Sequence, residues 1–251
     1  MSDESSRKLV SAPAFPPSEA AFMLDFDGAL VEIAPTPDAV VVPPELIRTL
    51  TTLRDKCGGA LAIVTGRPIA QVDHFLPGIP FAIAGEHGVA MRRSPDGATE
   101  RASLPVLPAQ WLEQADKLAK DWPGVTIERK QAGLVLHFRG RPDSAELLRQ
   151  AVDGWQVEKS GFHVQAAKMA WEIRPEGIDK GHAVASLLEQ APFTGRRPIF
   201  VGDDVTDLDG VREARARGGL GLMIPDDFPD VPAYRAWLEA LAGGEGDQWG
   251  V

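Results

Sequence analysis

The sequence predicts an α/β protein with a doubly wound, Rossmann-like parallel-sheet core and an inserted α+β domain. Three observations predict it. Short apolar runs end in carboxylates or glycine at AAFMLDFDG, ALAIVTGRP, FAIAGEHG and RPIFVGDDVTD, the pattern of buried strands whose polar tips emerge at a sheet edge. Segments of helical period lie between several of them, so the strands are joined by crossovers and run parallel. Between residues 105 and 175 that alternation gives way to strands in pairs with helices beside them, the texture of an antiparallel sheet covered on one face.

Taken in order, residues 1–20 read as a flexible N-terminal arm, and AAFMLDFDG as the first strand. Pro44 to Cys57 carries Leu46, Ile47, Leu50 and Leu53 at helical spacing, opened by prolines and closed by Gly58-Gly59, which predicts a helix. ALAIVTGRP is the second strand, Pro68 suits the first turn of the next helix, and FAIAGEHG is the third strand. The insert reads as helix PAQWLEQADKLAKDW, strands VTIERK and LVLHFR, helix SAELLRQAV, and short strands WQVEK, FHVQAA and MAWEIR. The core then resumes with helix IDKGHAVASLLEQ, strand and acidic loop RPIFVGDDVTD, helix VREARARG and strand GLGLMIP. The expected division is therefore a core of residues 21–104 and 176–251 around an insert of residues 105–175.

Composition narrows the function class. With 251 residues, 44% of them hydrophobic and 25% charged, the chain has the make-up of an ordinary globular protein able to bury a sizeable core. A formal net charge of −10 disfavours binding to nucleic acid or to an anionic membrane. The charge is uneven: the insert holds 10 Lys and Arg against 9 Asp and Glu, and the remainder is strongly acidic. Such a contrast could help to hold an anionic small molecule. The single cysteine, Cys57, excludes an intrachain disulfide and fits a reducing compartment. No signal peptide or membrane span is apparent, so the expected location is the cytoplasm. The oligomeric state stays open, a monomer being slightly favoured.

Four pieces carry chemistry: Asp25-Phe26-Asp27-Gly28, Val64-Thr65-Gly66-Arg67, Asp179-Lys180-Gly181, and Gly202-Asp203-Asp204 with Asp207. Where a strand ends and the chain turns, Asp25 and Asp27 can both approach one site. Two close carboxylates repel each other, and a hard divalent cation such as Mg²⁺ relieves the repulsion, with Asp203 from another strand tip completing its protein ligands. Each piece alone has a plainer reading. Asp-X-Asp-Gly is usually a turn, Thr-Gly-Arg-Pro a helix-entry turn, and Asp204 an N-cap.

In this order, at strand ends and helix starts, the four pieces resemble the motifs of the haloacid dehalogenase superfamily of phosphotransferases, over nearly the whole chain outside the arm and tail. The resemblance implies that Asp25 is the nucleophile and a Mg²⁺ ligand. Asp27 would give its backbone carbonyl to the metal and keep its carboxyl as acid and base. Thr65 and the Gly66 amide would hold phosphate oxygens, Lys180 would neutralise charge, and Asp204 and Asp207 would orient the metal or Lys180 from outside. It also makes the insert a substrate-selecting cap.

A closer resemblance is carried by DFDGALVEIAPTPDAV, VTGRP, GEHGV, the IERK and LVLHFR pair, MAWEIRP-G-DKG and VGDDVTD, which together look like trehalose-6-phosphate phosphatases. The implied substrate is a small-molecule sugar phosphate, and the implied reaction its Mg²⁺-dependent hydrolysis to trehalose and phosphate through an aspartyl-phosphate. Glu128, Lys130 and Glu172 match the cap residues that clasp the sugar. Arg139, Lys168, His137 and the core residues Arg67, Glu86 and His87 are further substrate-binding candidates. The bland reading, a polar residue on a half-exposed strand, is the stronger one for His137 and Arg139. Trp111, Trp122, Trp155 and Trp171 fit the core of the insert better than a sugar-stacking surface. One departure is Ala29, where the family usually has threonine. The alternatives are a broader sugar phosphatase on the same scaffold, a phosphomutase that returns the phosphoryl group to product, and a non-catalytic sugar-phosphate sensor.

Overall fold

The computed structural model describes residues 10–130, 133–167 and 169–250. The chain forms two compact units, residues 1–101 with 179–251 and residues 102–178.

Among the described residues the larger unit contains seven strands: β1 (Ala20–Leu24), β2 (Leu61–Val64), β3 (Ala82–Gly85), β4 (Ala90–Arg92), β5 (Thr99–Arg101), and, after the second unit, β10 (Arg197–Gly202) and β11 (Leu220–Met223). Their order across the sheet is β11-β10-β1-β2-β3-β4-β5. The first five positions are parallel, with β4 and β5 added antiparallel at one edge. All residues of β1, β2 and β3 are buried, as expected for parallel strands covered on both faces. The helices are α1 (Pro44–Lys56), α2 (Ile69–Phe75), α5 (Lys180–Leu187), α6 (Leu208–Ala216) and α7 (Val231–Ala242). From β1 the chain moves through α1 to β2, and from β10 it moves through α6 to β11 in the opposite direction. Right-handed crossovers then put α1 and α6 on opposite faces and leave a switch point between the carboxyl ends of β1 and β10. Asp25 follows β1 and Asp203 follows β10, so the acidic tips lie at that crevice.

Several expectations are adjusted. Within the stretch expected to be a loose arm, Phe15 is buried and accepts a hydrogen bond from Trp249 Nε1 on its carbonyl at 2.6 Å, and Pro17 is buried too. A short apolar and aromatic anchor thus ties residues 15–19 to the tail. Strands β4 and β5 were not anticipated. Phe228, Tyr234 and Trp237 pack together, with ring centroids 5.1 to 6.2 Å apart, so the terminal helix covers its own unit. Cys57, at the end of α1, is fully buried, and burial pushes its thiol up to about 12.

The smaller unit is an antiparallel sheet, β6 (Thr126–Arg129), β7 (Leu134–His137), β9 (Ala170–Pro175) and β8 (Phe162–Ala167) in spatial order, with α3 (Ala109–Asp121) and α4 (Ala145–Gly154). The segment WQVEK, expected as a strand, is instead a 3-10 helix over Val157–Ser160, bracketed by left-handed Gln156 and Gly161. Its alternation is that of a turn with one apolar anchor, Val157. Strand register explains the sidedness of the sheet. Ile127, Leu136 and Trp171 share one row and Leu134, Ile173 and Val164 another, and both rows pack into the cluster around Trp111. Trp155 stacks on Trp111 at 6.3 Å, and Trp171 donates to the Ala145 carbonyl at 2.8 Å. The tryptophans serve this core.

Candidate active site

Helix α5 begins at Lys180 because Asp179 caps it, its Oδ1 accepting from His182 N at 2.8 Å. The cap fixes Lys180 in the first turn, and the side chain runs inward, 3% exposed, to donate to Asp25 Oδ1 at 2.7 Å and Asp207 Oδ1 at 2.5 Å. Asp207 is fully buried, and its other oxygen, Oδ2, accepts from the Asp203 and Asp204 amides at 3.2 and 3.1 Å. Asp207 is therefore the bracket that joins the lysine to the loop after β10. Asp204 is exposed, and its carboxylate accepts from Val205 N, so it caps the short helix Val205–Asp207. This matches the plainer reading of that residue.

Ligand oxygens of Asp25, Asp203 and Asp207 lie within 4.8 Å of one another. Burial pushes the Asp25 carboxyl up to about 8, against the pull of Lys180 and with repulsion from Asp207 added. Asp203 is pushed up to about 6 by burial and by the charges of Asp207 and Asp204. Burial opposes the charge on Lys180, yet Asp25 and Asp207 hold its ammonium above the ordinary lysine value. A site that resists ionising its own carboxylates fits a hard cation, which would favour their charged forms. Asp207 already accepts three hydrogen bonds, from Lys180 and two amides, so Asp25 and Asp203 keep more of their acceptor capacity for a metal.

The turn after β1 is closed by Gly28 N donating to Val31 O and Val31 N to Phe26 O. Gly28 has φ +76°, and a Cβ there would lie 2.0 Å from Asp203 Oδ2. Glycine is what lets the two acidic tips meet. Ala29, in place of the threonine usual in the resembled family, is fully buried. Asp27 faces Arg67, which donates from Nε at 2.6 Å and from Nη2 at 2.7 Å. Thr65 is buried directly after β2, and its hydroxyl accepts from Arg67 N at 3.2 Å. The loop of Glu86 and His87 docks on the same turn, Glu86 N donating to Arg67 O and His87 N to Thr65 O. Glu86 is held by both terminal nitrogens of Arg101 at 2.9 and 2.6 Å.

In the smaller unit, the sheet face opposite the apolar cluster carries Glu128, Lys130, His137 and Glu172. Lys130 Nζ donates to Glu172 Oε1 at 2.7 Å, and His137 Nε2 lies 2.9 Å from Glu128 Oε2. Arg139 is exposed in the turn after β7, and Lys168 lies outside the described residues. Sequence reasoning overlooked Arg174, two residues after Glu172 on β9 and therefore on the same face. It is buried and donates to Gln165 Oε1 at 2.7 Å. The period-2 alternation of MAWEIR was the signal that could have found it.

Comparison with known proteins adds an independent line. The family model described as trehalose-phosphatase matches residues 23–232. A probable trehalose-phosphate phosphatase of Sinorhizobium fredii is 43% identical over 230 residues, 89% of this chain and 85% of that protein. The trehalose-6-phosphate phosphatase of Escherichia coli is 34% identical over 229 residues, 88% of this chain and 86% of that protein. In fold, the chain is similar to Aspergillus fumigatus trehalose-6-phosphate phosphatase, with TM-score 0.67 at 24% identity, covering 88% of this chain and 92% of that one.

Proposed function

The chain belongs to the trehalose-phosphatase family, and from that premise we propose that it hydrolyses trehalose 6-phosphate to trehalose and phosphate with Mg²⁺ bound by Asp25, Asp203 and the Asp27 carbonyl. The observation that carries the reading is Lys180 held at hydrogen-bond distance from Asp25, with the Asp203 carboxylate in the same cluster. When bound, the cation would supply charge neutralisation for nucleophile and phosphate. Asp25 attacks phosphorus in line. A new Asp25–phosphorus bond forms as the bond to the sugar oxygen breaks, and Asp27 protonates that oxygen. The deprotonated Asp27 then takes a proton from water, which hydrolyses the aspartyl-phosphate and frees Asp25. Thr65 and the Gly66 amide hold phosphate oxygens, and Lys180 balances the negative charge on nucleophile and phosphate.

Residues 102–178 act as the substrate-selecting cap in this reading. The polar sheet face with Glu128, Lys130 and Glu172 supplies acceptors and donors for the hydroxyls of an otherwise uncharged disaccharide. Assays of phosphate release with Mg²⁺ across a panel of sugar phosphates test the assignment. Trehalose 6-phosphate should be preferred at least about tenfold in kcat/KM, and an equal kcat/KM on glucose 6-phosphate would overturn the disaccharide specificity. Asp25→Asn should abolish turnover, and persistent release in that variant would overturn the covalent route.

A further inference from the structure

Arg67 was a candidate for touching substrate, yet every nitrogen of its guanidinium is engaged within the protein. Nε and Nη2 form a fork on the two oxygens of Asp27. Nη1 donates to Pro37 O at 2.8 Å and to Gln71 Oε1 at 3.1 Å. The guanidinium lies over two rings, 5.3 Å from the centroid of Phe26 and 5.2 Å from that of Phe75. The Arg67 side chain is 8% exposed, whereas that of Asp27 is 37% exposed. The carboxyl is thus gripped from the protein side and open on the other, and each oxygen keeps a second lone pair for a proton. A planar, five-donor group bonded at every nitrogen and resting against two adjoining rings, whose own centroids are 5.7 Å apart, has little freedom to turn, so it sets the direction of the carboxyl it holds.

We infer that Arg67 is a positioning residue that aims the Asp27 carboxyl at the leaving oxygen, and does not bind substrate. The inference rests on the function proposed above, in which Asp27 supplies the proton. Its consequence depends on the leaving group. A sugar alkoxide needs that proton as the oxygen–phosphorus bond breaks, whereas 4-nitrophenolate departs without it. Because kcat/KM reports events up to the first irreversible step, the two substrate types separate aim from general damage.

The experiment compares wild type, Arg67→Lys and Arg67→Met on the best sugar phosphate of the panel and on 4-nitrophenyl phosphate, with Mg²⁺ present. Arg67→Lys keeps a cation but loses the fork, and Arg67→Met loses both. We expect kcat/KM on the sugar phosphate to fall at least tenfold further than on the aryl ester in each variant. An equal fall on both substrates, or no fall on the sugar phosphate, overturns the inference. Should either variant not fold, Phe75→Leu, which removes one of the two stacking rings and leaves the fork, takes its place: a larger fall on the sugar phosphate supports the inference, and an equal fall or none overturns it. Failure of the underlying function has a different signature: wild type would release no phosphate from any sugar ester, or Asp25→Asn would keep activity on both substrates.

Discussion

Gly28 is a single residue on which the acidic cluster depends. Its left-handed φ and the 2.0 Å approach of a hypothetical Cβ to Asp203 mean that Gly28→Ala must push the two strand tips apart. Misplacement on the ångström scale costs about a hundredfold in rate. We therefore expect Gly28→Ala to lose phosphate release by about that factor and to bind Mg²⁺ more weakly in a calorimetric titration, while its far-ultraviolet spectrum stays that of wild type. At Lys180 the result differs, because Lys180→Met leaves Asp25 and Asp207 buried without their shared cation. Removing one partner from a buried ion pair costs about 3–5 kcal/mol, so denaturant titration should show a loss of that order along with inactivity. In the sequence Gly28 stands in a motif at a strand end and Lys180 in one at a helix start, and the fold brings both motifs to the acidic cluster. The sequence did not reveal the partner of Arg67, since Asp27 lies 40 positions away and only the closed fold brings them together.

At the scale of elements, α6 packs closely on β10 because Gly210 faces the Phe200 ring. A Cβ at Gly210 would come within 2.5 Å of that ring. Overpacking of this kind costs about 1–3 kcal/mol, and Gly210→Ala should lower the melting temperature by several degrees without changing the secondary structure. In the smaller unit Trp111, stacked on Trp155 and edge-on to Phe162 at 5.4 Å, is the anchor of α3. Trp111→Ala should cost about 3–5 kcal/mol, read by chemical denaturation. Most elements were legible from period and punctuation, α1 above all, where the prolines and the Gly58-Gly59 pair bound the observed helix closely. The failures have physical causes. WQVEK alternates like a strand, but Val157–Ser160 forms a tight helical turn flanked by the left-handed residues Gln156 and Gly161. Strands β4 and β5 have three residues each, too few to show a period, and exist by pairing, β4 onto β3 and β5 onto β4.

For the molecule as a whole, alternation of strands and helices implied a parallel sheet with its acidic tips at the carboxyl ends of the strands, while the strand order that makes the switch point between β1 and β10 became visible only in the fold. The acidic cluster also predicts a global stability that depends on pH and, with the cation of the proposed function, on metal. The carboxyls of Asp25 and Asp203 have folded values raised above the unfolded value of 3.8, to about 8 and about 6. Between those limits the folded state binds more protons than the unfolded state, so their contribution falls as pH rises from about 4 to about 8. A bound cation favours the ionised forms and removes that loss. The melting temperature should therefore rise more on adding Mg²⁺ to chelator-treated protein at pH 8 than at pH 5. An equal rise at both values would show that the cluster is not where the cation acts. A separate practical consequence comes from the sealed thiol at the end of α1. With its sulfhydryl pushed up to about 12 and shielded from reagents, Cys57 should stay unlabelled in the native protein. Cysteines introduced one in each unit could then be tagged with a fluorophore pair in the otherwise natural chain, with no need to replace the native one, and the distance between them followed during turnover.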